Sequence, residues 1–110
     1  GLQKLENTNI LIAGVGGVGS YVVEAIARAG IGKITIIDMD VVDESNINRQ
    51  LVALHSNIGQ AKVQIMKQRI YDINPECIVT AKQIFINPEN TIELLTEQKY
   101  DYVIDAIDTL

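Results

Sequence analysis

The sequence is poor in the residues that build disulfide scaffolds, membrane spans or nucleic-acid platforms. A single cysteine, Cys77, in 110 residues excludes an internal disulfide framework and any cysteine-clustered zinc site within this stretch. No apolar run approaches the ~18 residues needed to cross a bilayer. The N-terminus carries neither a basic n-region nor a signal-like apolar stretch, so a cytoplasmic protein with no membrane partner is expected. Basic residues are outnumbered, 9 Lys and Arg against 14 Asp and Glu, for a net charge of −5. An acidic surface repels phosphate backbones, and aromatics at 5 % leave few stacking platforms, so this segment alone should not grip a broad stretch of nucleic acid. A local group of cations at one phosphate pocket stays compatible with that balance.

What is present describes an ordinary folded domain. Hydrophobic residues make up 47 % and charged residues 21 %, with 8 Gly and only 2 Pro, which argues against disorder and low complexity. Short β-rich runs alternate with helical periods. Asn9 to Ala13 is an apolar run ending in glycines and reads as a buried strand. Val18, Val22, Ala25, Ile26 and Ala29 recur at helical spacing, and Gly30-Ile-Gly32 supplies the stop. Lys33 to Asp38 is a second strand, rich in β-branched residues. No single period governs 39–58. A helix is expected over Gln60 to Ile73, with Met66, Arg69, Ile70 and Ile73 on one face and Pro75 closing it. Cys77 to Ala81 reads as a central strand. Asn87-Pro88 starts a helix running to about Gln98, and Tyr102 to Ala106 is a fourth strand.

That alternation predicts an α/β fold: a Rossmann-like, doubly wound parallel sheet of strand order 3-2-1-4 with helices on both faces. The fourth strand lacks the covering helix that should follow it. Either a partner covers that flank or the sheet, incomplete on its C-terminal side, is a piece of a longer protein, and the piece is favoured.

Gly14-Val-Gly16-Gly17-Val-Gly19 places G-x-G-x-x-G after a strand and at the start of a helix. Glycines there permit a tight turn and let main-chain N–H groups approach a phosphate at the positive end of the helix. Asp38 follows Gly19 by 19 positions, at the end of the second strand, where a carboxylate can accept ribose hydroxyls. Loop and acid fit nicotinamide-dependent dehydrogenases and ATP users equally. Two cations bear on the choice. Arg49 and Lys62 lie beyond the C-terminal end of the second strand, on the side where open parallel sheets bind ligands. Lys62 is one turn before Met66, so it points along the apolar face, either snorkelling to the surface or holding an anion. Asp108 follows the fourth strand. It reads either as a helix cap or turn residue, or as a Mg²⁺ ligand against phosphate oxygens. Together, two cations and an acid at a glycine loop suit attack at a phosphate.

Four spaced motifs carry a family resemblance: G-x-G-G-x-G at 14–19, D-x-D at 38–40, N-x-x-R-Q at 46–50 and G-x-x-K at 59–62. The sequence resembles the ubiquitin-activating-enzyme-like adenylyltransferases of the ThiF/MoeB/HesA type, from about Leu5 to Thr109. Gly30 to Asp40, Asn48-Arg-Gln50 and Ile73 to Cys77 look most like the branch that dehydrates threonylcarbamoyladenosine in tRNA. The resemblance implies ATP and Mg²⁺, with Gly14, Gly16, Gly17 and Gly19 cradling the nucleotide and Asp38 binding ribose. It implies that Asp40 and Asn46 support the pocket, that Arg49 and Lys62 neutralise the phosphates, and that Asp108 holds the metal. Adenylation of the tRNA-bound carboxylate would be followed by ring closure with loss of AMP. The alternative substrate is the C-terminal carboxylate of a ubiquitin-like sulfur carrier of the thiamine or molybdopterin pathway. Members are more than twice this long, and one subunit's helical arm reaches its partner's phosphates. Residues 1–110 are therefore expected to be the ATP-binding domain of a longer, homodimeric enzyme, inactive as a fragment.

Outside the resemblance, a NAD-dependent oxidoreductase or a non-catalytic nucleotide-binding module are the competing classes. Cys77 reads as a small buried hydrophobe and His55 as a capping or surface residue. Asp43 and Glu44 fall on a solvated loop. Tyr21 packs either on a nucleotide or into the core.

Overall fold

The computed structural model describes residues 5–40 and 59–107. Four parallel strands, β1 (Asn9–Ala13), β2 (Lys33–Ile37), β3 (Ile78–Lys82) and β4 (Tyr102–Asp105), form one sheet in the order β3-β2-β1-β4. Among the described residues three helices alternate with them: α1 (Gly17–Arg28), α2 (Lys62–Ile73) and α3 (Pro88–Thr96). The sheet grows in one direction from β1 to β3, then the chain crosses back to lay β4 on the other side of β1. This is the expected doubly wound order.

β1 is a continuous apolar run because it is central. All five of its residues are buried, as are those of β2 after Lys33. The pleat sends alternate side chains to opposite faces. In register, Ile10 and Ile12 pair with Ile34 and Ile36, and these four join Val23 and Ala27 of α1 and Val63, Met66 and Ile70 of α2. On the other face Leu11 and Ile37 meet Leu94 of α3. Helices thus cover both faces.

α1 sits in a different rotation from the one its apolar spacing implies. Its buried residues are Gly19, Ser20, Val23 and Ala27, whereas Val18 is 65 % exposed and Val22 and Ile26 only flank the core. The cause is steric. A Cβ on Gly19 would lie 1.9 Å from the Gly14 carbonyl oxygen, so the helix approaches the end of β1 closely enough that its smallest residues must face inward. α1 ends in a Schellman turn: Gly30, at φ +89°, donates its N–H to Ala27 O, and Ile31 donates to Ile26 O.

The other boundaries have local causes. α2 starts at Lys62, two residues later than expected, because Ala61 is extended (φ −62°, ψ 129°) and serves as the cap. Arg69 leaves the apolar face of α2 for its edge, where it and Arg28 both reach Glu24, at 3.0 and 2.9 Å. These guanidiniums hold the Glu24 carboxyl below its ordinary value. The bridge between α1 and α2 therefore stabilises at neutral pH and fades as pH falls through the lowered value. α3 opens on Asn87 and Asn90 in a reciprocal capping box, with Pro88 in the first turn. It stops at Thr96, whose hydroxyl donates to Ile92 O and Glu93 O. β3 is an edge strand in the described sheet, so Cys77, just before it, does not open a central strand. β4 forms the other described edge, with Tyr102 61 % and Val103 52 % exposed. Among the described residues no helix is long and apolar enough to cross a membrane.

Gly19→Ala should lower the unfolding free energy of the intact protein by about 1–3 kcal/mol through overpacking, despite alanine's higher helix propensity. Gly17→Ala, where an added Cβ meets nothing within 4 Å, should be neutral. Urea titrations of the two variants give the comparison.

Candidate nucleotide-binding site

The site forms where the carboxyl ends of β1, β2 and β4 meet, at the point where strand order reverses. Gly14 turns the chain out of β1 at φ +97°, a conformation that favours glycine. A Cβ there would also lie 2.6 Å from Ala106 O. Gly14 N donates to Ile37 O, and Ala106 N donates to Ala13 O, both at 2.7 Å. The glycine loop is thereby fastened to both neighbouring strands.

Beyond Gly14 the loop rises into α1. Gly16 is the N-cap and supplies no side-chain hydrogen bond. Helix geometry leaves the first N–H groups without intrahelical acceptors, and an added Cβ on Gly17 would face open space. A phosphate can approach the main chain closely here, at the positive end of the helix dipole. Ser20 does not point toward that opening: its hydroxyl donates to Gly17 O at 3.0 Å and the residue is fully buried.

Asp38 adopts a role that its spacing did not suggest. Its Oδ2 accepts the Val15 N–H at 2.9 Å, and its Oδ1 accepts the Asp40 N–H at 2.8 Å. One carboxylate therefore ties the glycine loop to the segment leaving β2. Each oxygen keeps a further lone pair for a hydroxyl donor. Asp40 continues the chain of contacts. Its carbonyl accepts Lys62 N at 3.0 Å, and its Oδ2 lies 3.9 Å from Lys62 Nζ. Lys62 is only 4 % exposed, so of its two readings, plain surface snorkelling is set aside. The buried Lys62 is linked to the glycine loop through two residues, Asp40 and Asp38.

Gly14, Gly16, Gly17, Gly19, Asp38, Asp40 and Lys62 are thus brought together. Asn46, Arg49 and Asp108 lie outside the described residues, as do Asp43, Glu44 and His55. Among the described residues at the end of β4, Ile107 donates its N–H to Asp105 Oδ1 at 3.1 Å. Tyr21 is 59 % exposed on α1, which removes the core-packing reading. Sequence reasoning does not reveal the Val15 and Ala106 N–H groups, because main-chain donors leave no residue-type signal. Cys77 is buried at the opposite end of the sheet, and desolvation pushes its thiol up to about 11, which makes it unreactive near neutral pH. Among the described residues no group of three or more His, Cys, Asp or Glu is placed to hold a metal.

Comparison with known proteins follows the same lines. The sequence matches the ThiF family over residues 1–110. The chain belongs to the ThiF family. It is 53 % identical to tRNA threonylcarbamoyladenosine dehydratase of Bacillus subtilis over all of its own length and 43 % of that relative's. A probable molybdopterin-synthase adenylyltransferase of Porphyra purpurea is 39 % identical over 98 % of the chain and 28 % of the relative. The crystal structure of Escherichia coli tRNA N6-threonylcarbamoyladenosine dehydratase in complex with ATP superposes with a TM-score of 0.94 at 50 % identity, covering 98 % of this chain and 44 % of that one. This ThiF-family chain therefore spans less than half the length of those relatives.

Asp38→Asn presents one acceptor where two N–H groups need one each. It should lower stability by about 1–2 kcal/mol even without nucleotide, read from denaturant unfolding of the intact protein.

Proposed function

We propose that residues 1–110 are the ATP-binding domain of a longer enzyme that activates a carboxylate by adenylation, and that this carboxylate belongs to threonylcarbamoyladenosine in tRNA. The observation that carries the chemistry is the buried Lys62, linked through Asp40 and Asp38 to the glycine loop. A cation held beside a phosphate cradle suits displacement at phosphorus, and hydride transfer to a nicotinamide makes no such demand. Identity of 53 % to a named tRNA dehydratase supports the substrate.

In this reading the loop from Gly14 to Gly19 receives phosphate oxygens on main-chain N–H groups, and Asp38 accepts the ribose hydroxyls. Lys62 and Arg49 offset the charge where two anions meet, which is where fixed cations lower a barrier most. Asp40 and Asn46 shore up the pocket. A carboxylate oxygen of the threonylcarbamoyl group attacks the α-phosphorus, the bond to pyrophosphate breaks, and an acyl-adenylate forms. The carbamoyl oxygen then attacks the activated carbonyl carbon, AMP leaves with the bonding electrons, and the carbamoyl nitrogen gives up its proton as the ring closes. Asp108 is the assigned ligand for Mg²⁺, which when bound would supply charge neutralisation at phosphate oxygens. The enzyme would work in the cytoplasm as a homodimer. Similarity to a molybdopterin-synthase adenylyltransferase makes a ubiquitin-like sulfur carrier the second reading.

ATP–pyrophosphate exchange by the full-length protein discriminates between them. Threonylcarbamoyladenosine-bearing tRNA should stimulate exchange and a sulfur-carrier protein should not. Lys62→Ala and Arg49→Ala should each lower exchange by about tenfold or more, as expected for loss of a charge-assisted contact. Stimulation by the carrier alone would overturn the tRNA assignment, and wild-type exchange in both variants would remove the roles given to these cations.

A further inference from the structure

We infer that Asp40 is a positioning residue that acts through Lys62, holding the ammonium at the phosphate side of the pocket without occupying its hydrogen-bond donors; the inference rests on the adenylating role proposed above. An ammonium enclosed by protein needs a compensating anion. The Lys62 side chain is 6 % exposed, and among the described residues the Asp40 carboxylate is the anion within 4.0 Å of it. At 3.9 Å the pair is beyond hydrogen-bond length, so the attraction is Coulombic and leaves the N–H donors uncommitted to Asp40. A phosphate oxygen arriving from the glycine loop then meets donors already in place.

The geometry of Asp40 supports this division of labour. Its main chain is pinned on both sides, its N–H by Asp38 Oδ1 and its carbonyl by Lys62 N. Its carboxylate stays 60 % exposed. A side-chain substitution therefore keeps the main-chain link that starts α2, and it alters only the charge that faces the ammonium. The Asp40 carboxylate's own charge repels ATP while its hold on Lys62 favours binding, so the two offset in the ground state. Its removal should appear in turnover more than in nucleotide affinity.

Two measurements on the full-length protein test this. In ATP–pyrophosphate exchange, Asp40→Asn should lower kcat by about tenfold while KM for ATP moves by less than about threefold, and Asp40→Glu should recover most of the loss. Combined with Lys62→Ala, Asp40→Asn should cost nothing further, because its effect passes through the lysine. A kcat unchanged in Asp40→Asn, or losses that simply multiply in the double variant, would overturn the inference. The second measurement needs no adenylation: acetic anhydride labelling of the nucleotide-free protein, mapped by mass spectrometry, with exposed Lys99 as internal reference. Lys62 acetylation should rise about tenfold in Asp40→Asn and stay low in Asp40→Glu, since loss of the counter-charge releases the amine. Equal labelling of Lys62 in wild type and Asp40→Asn would overturn the inference even in an enzyme that adenylates some other substrate.

Discussion

The two hydrogen bonds accepted by the Asp38 carboxylate are the constraint on which the rest of the site depends. One oxygen holds Val15 N–H, just past the turn at Gly14, and the other holds Asp40 N–H, just past β2. They add, to the bond from Gly14 N to Ile37 O, a side-chain tie between the glycine loop and the segment leaving β2. With them, the cradle and the cation share one anchor, placed where β1 and β2 end side by side. A charged acceptor with two main-chain donors holds more firmly than a neutral one, which is what a site needs if its dipoles are to be in place before a ligand arrives.

Close packing supplies the second half of that rigidity. Gly14 lies against Ala106, and Gly19 against Gly14, at separations that leave no room for a side chain. The β1–loop–α1 unit is thus wedged between its two neighbours and bonded to both. The sheet beneath it is fully buried along β1, and helices stand on both faces. The position of the glycine loop follows from core packing as much as from the loop's own residues.

Much of this was legible from residue order. Strand order, the glycine loop, the Asn87-Pro88 helix start and the Gly30 stop are encoded by short patterns with local physical causes. Element ends fell within about two residues because caps act locally. Three features resisted. The rotation of α1 is set by contact between Gly19 and Gly14, a tertiary contact that overrides the spacing of Val18, Val22 and Ala25. The burial of Lys62 depends on how α2 lies against the sheet, and a helical period does not report that. The tie between Asp38 and Val15 engages a main-chain amide that any residue type would offer. Asn46 and Arg49 rest on motif and Asp108 on its place after the fourth strand, together with the family resemblance, since these positions lie outside the described residues.

The outer side of β4 has a practical consequence for handling this domain. Tyr102 and Val103 stand in solvent there, beside a strand margin whose amides and carbonyls no described strand engages. A bare margin of this kind templates pairing with other chains. A polypeptide with this margin uncovered would tend to self-associate and precipitate, so preparations meant for ligand titration need that flank shielded, for instance by engineered charge.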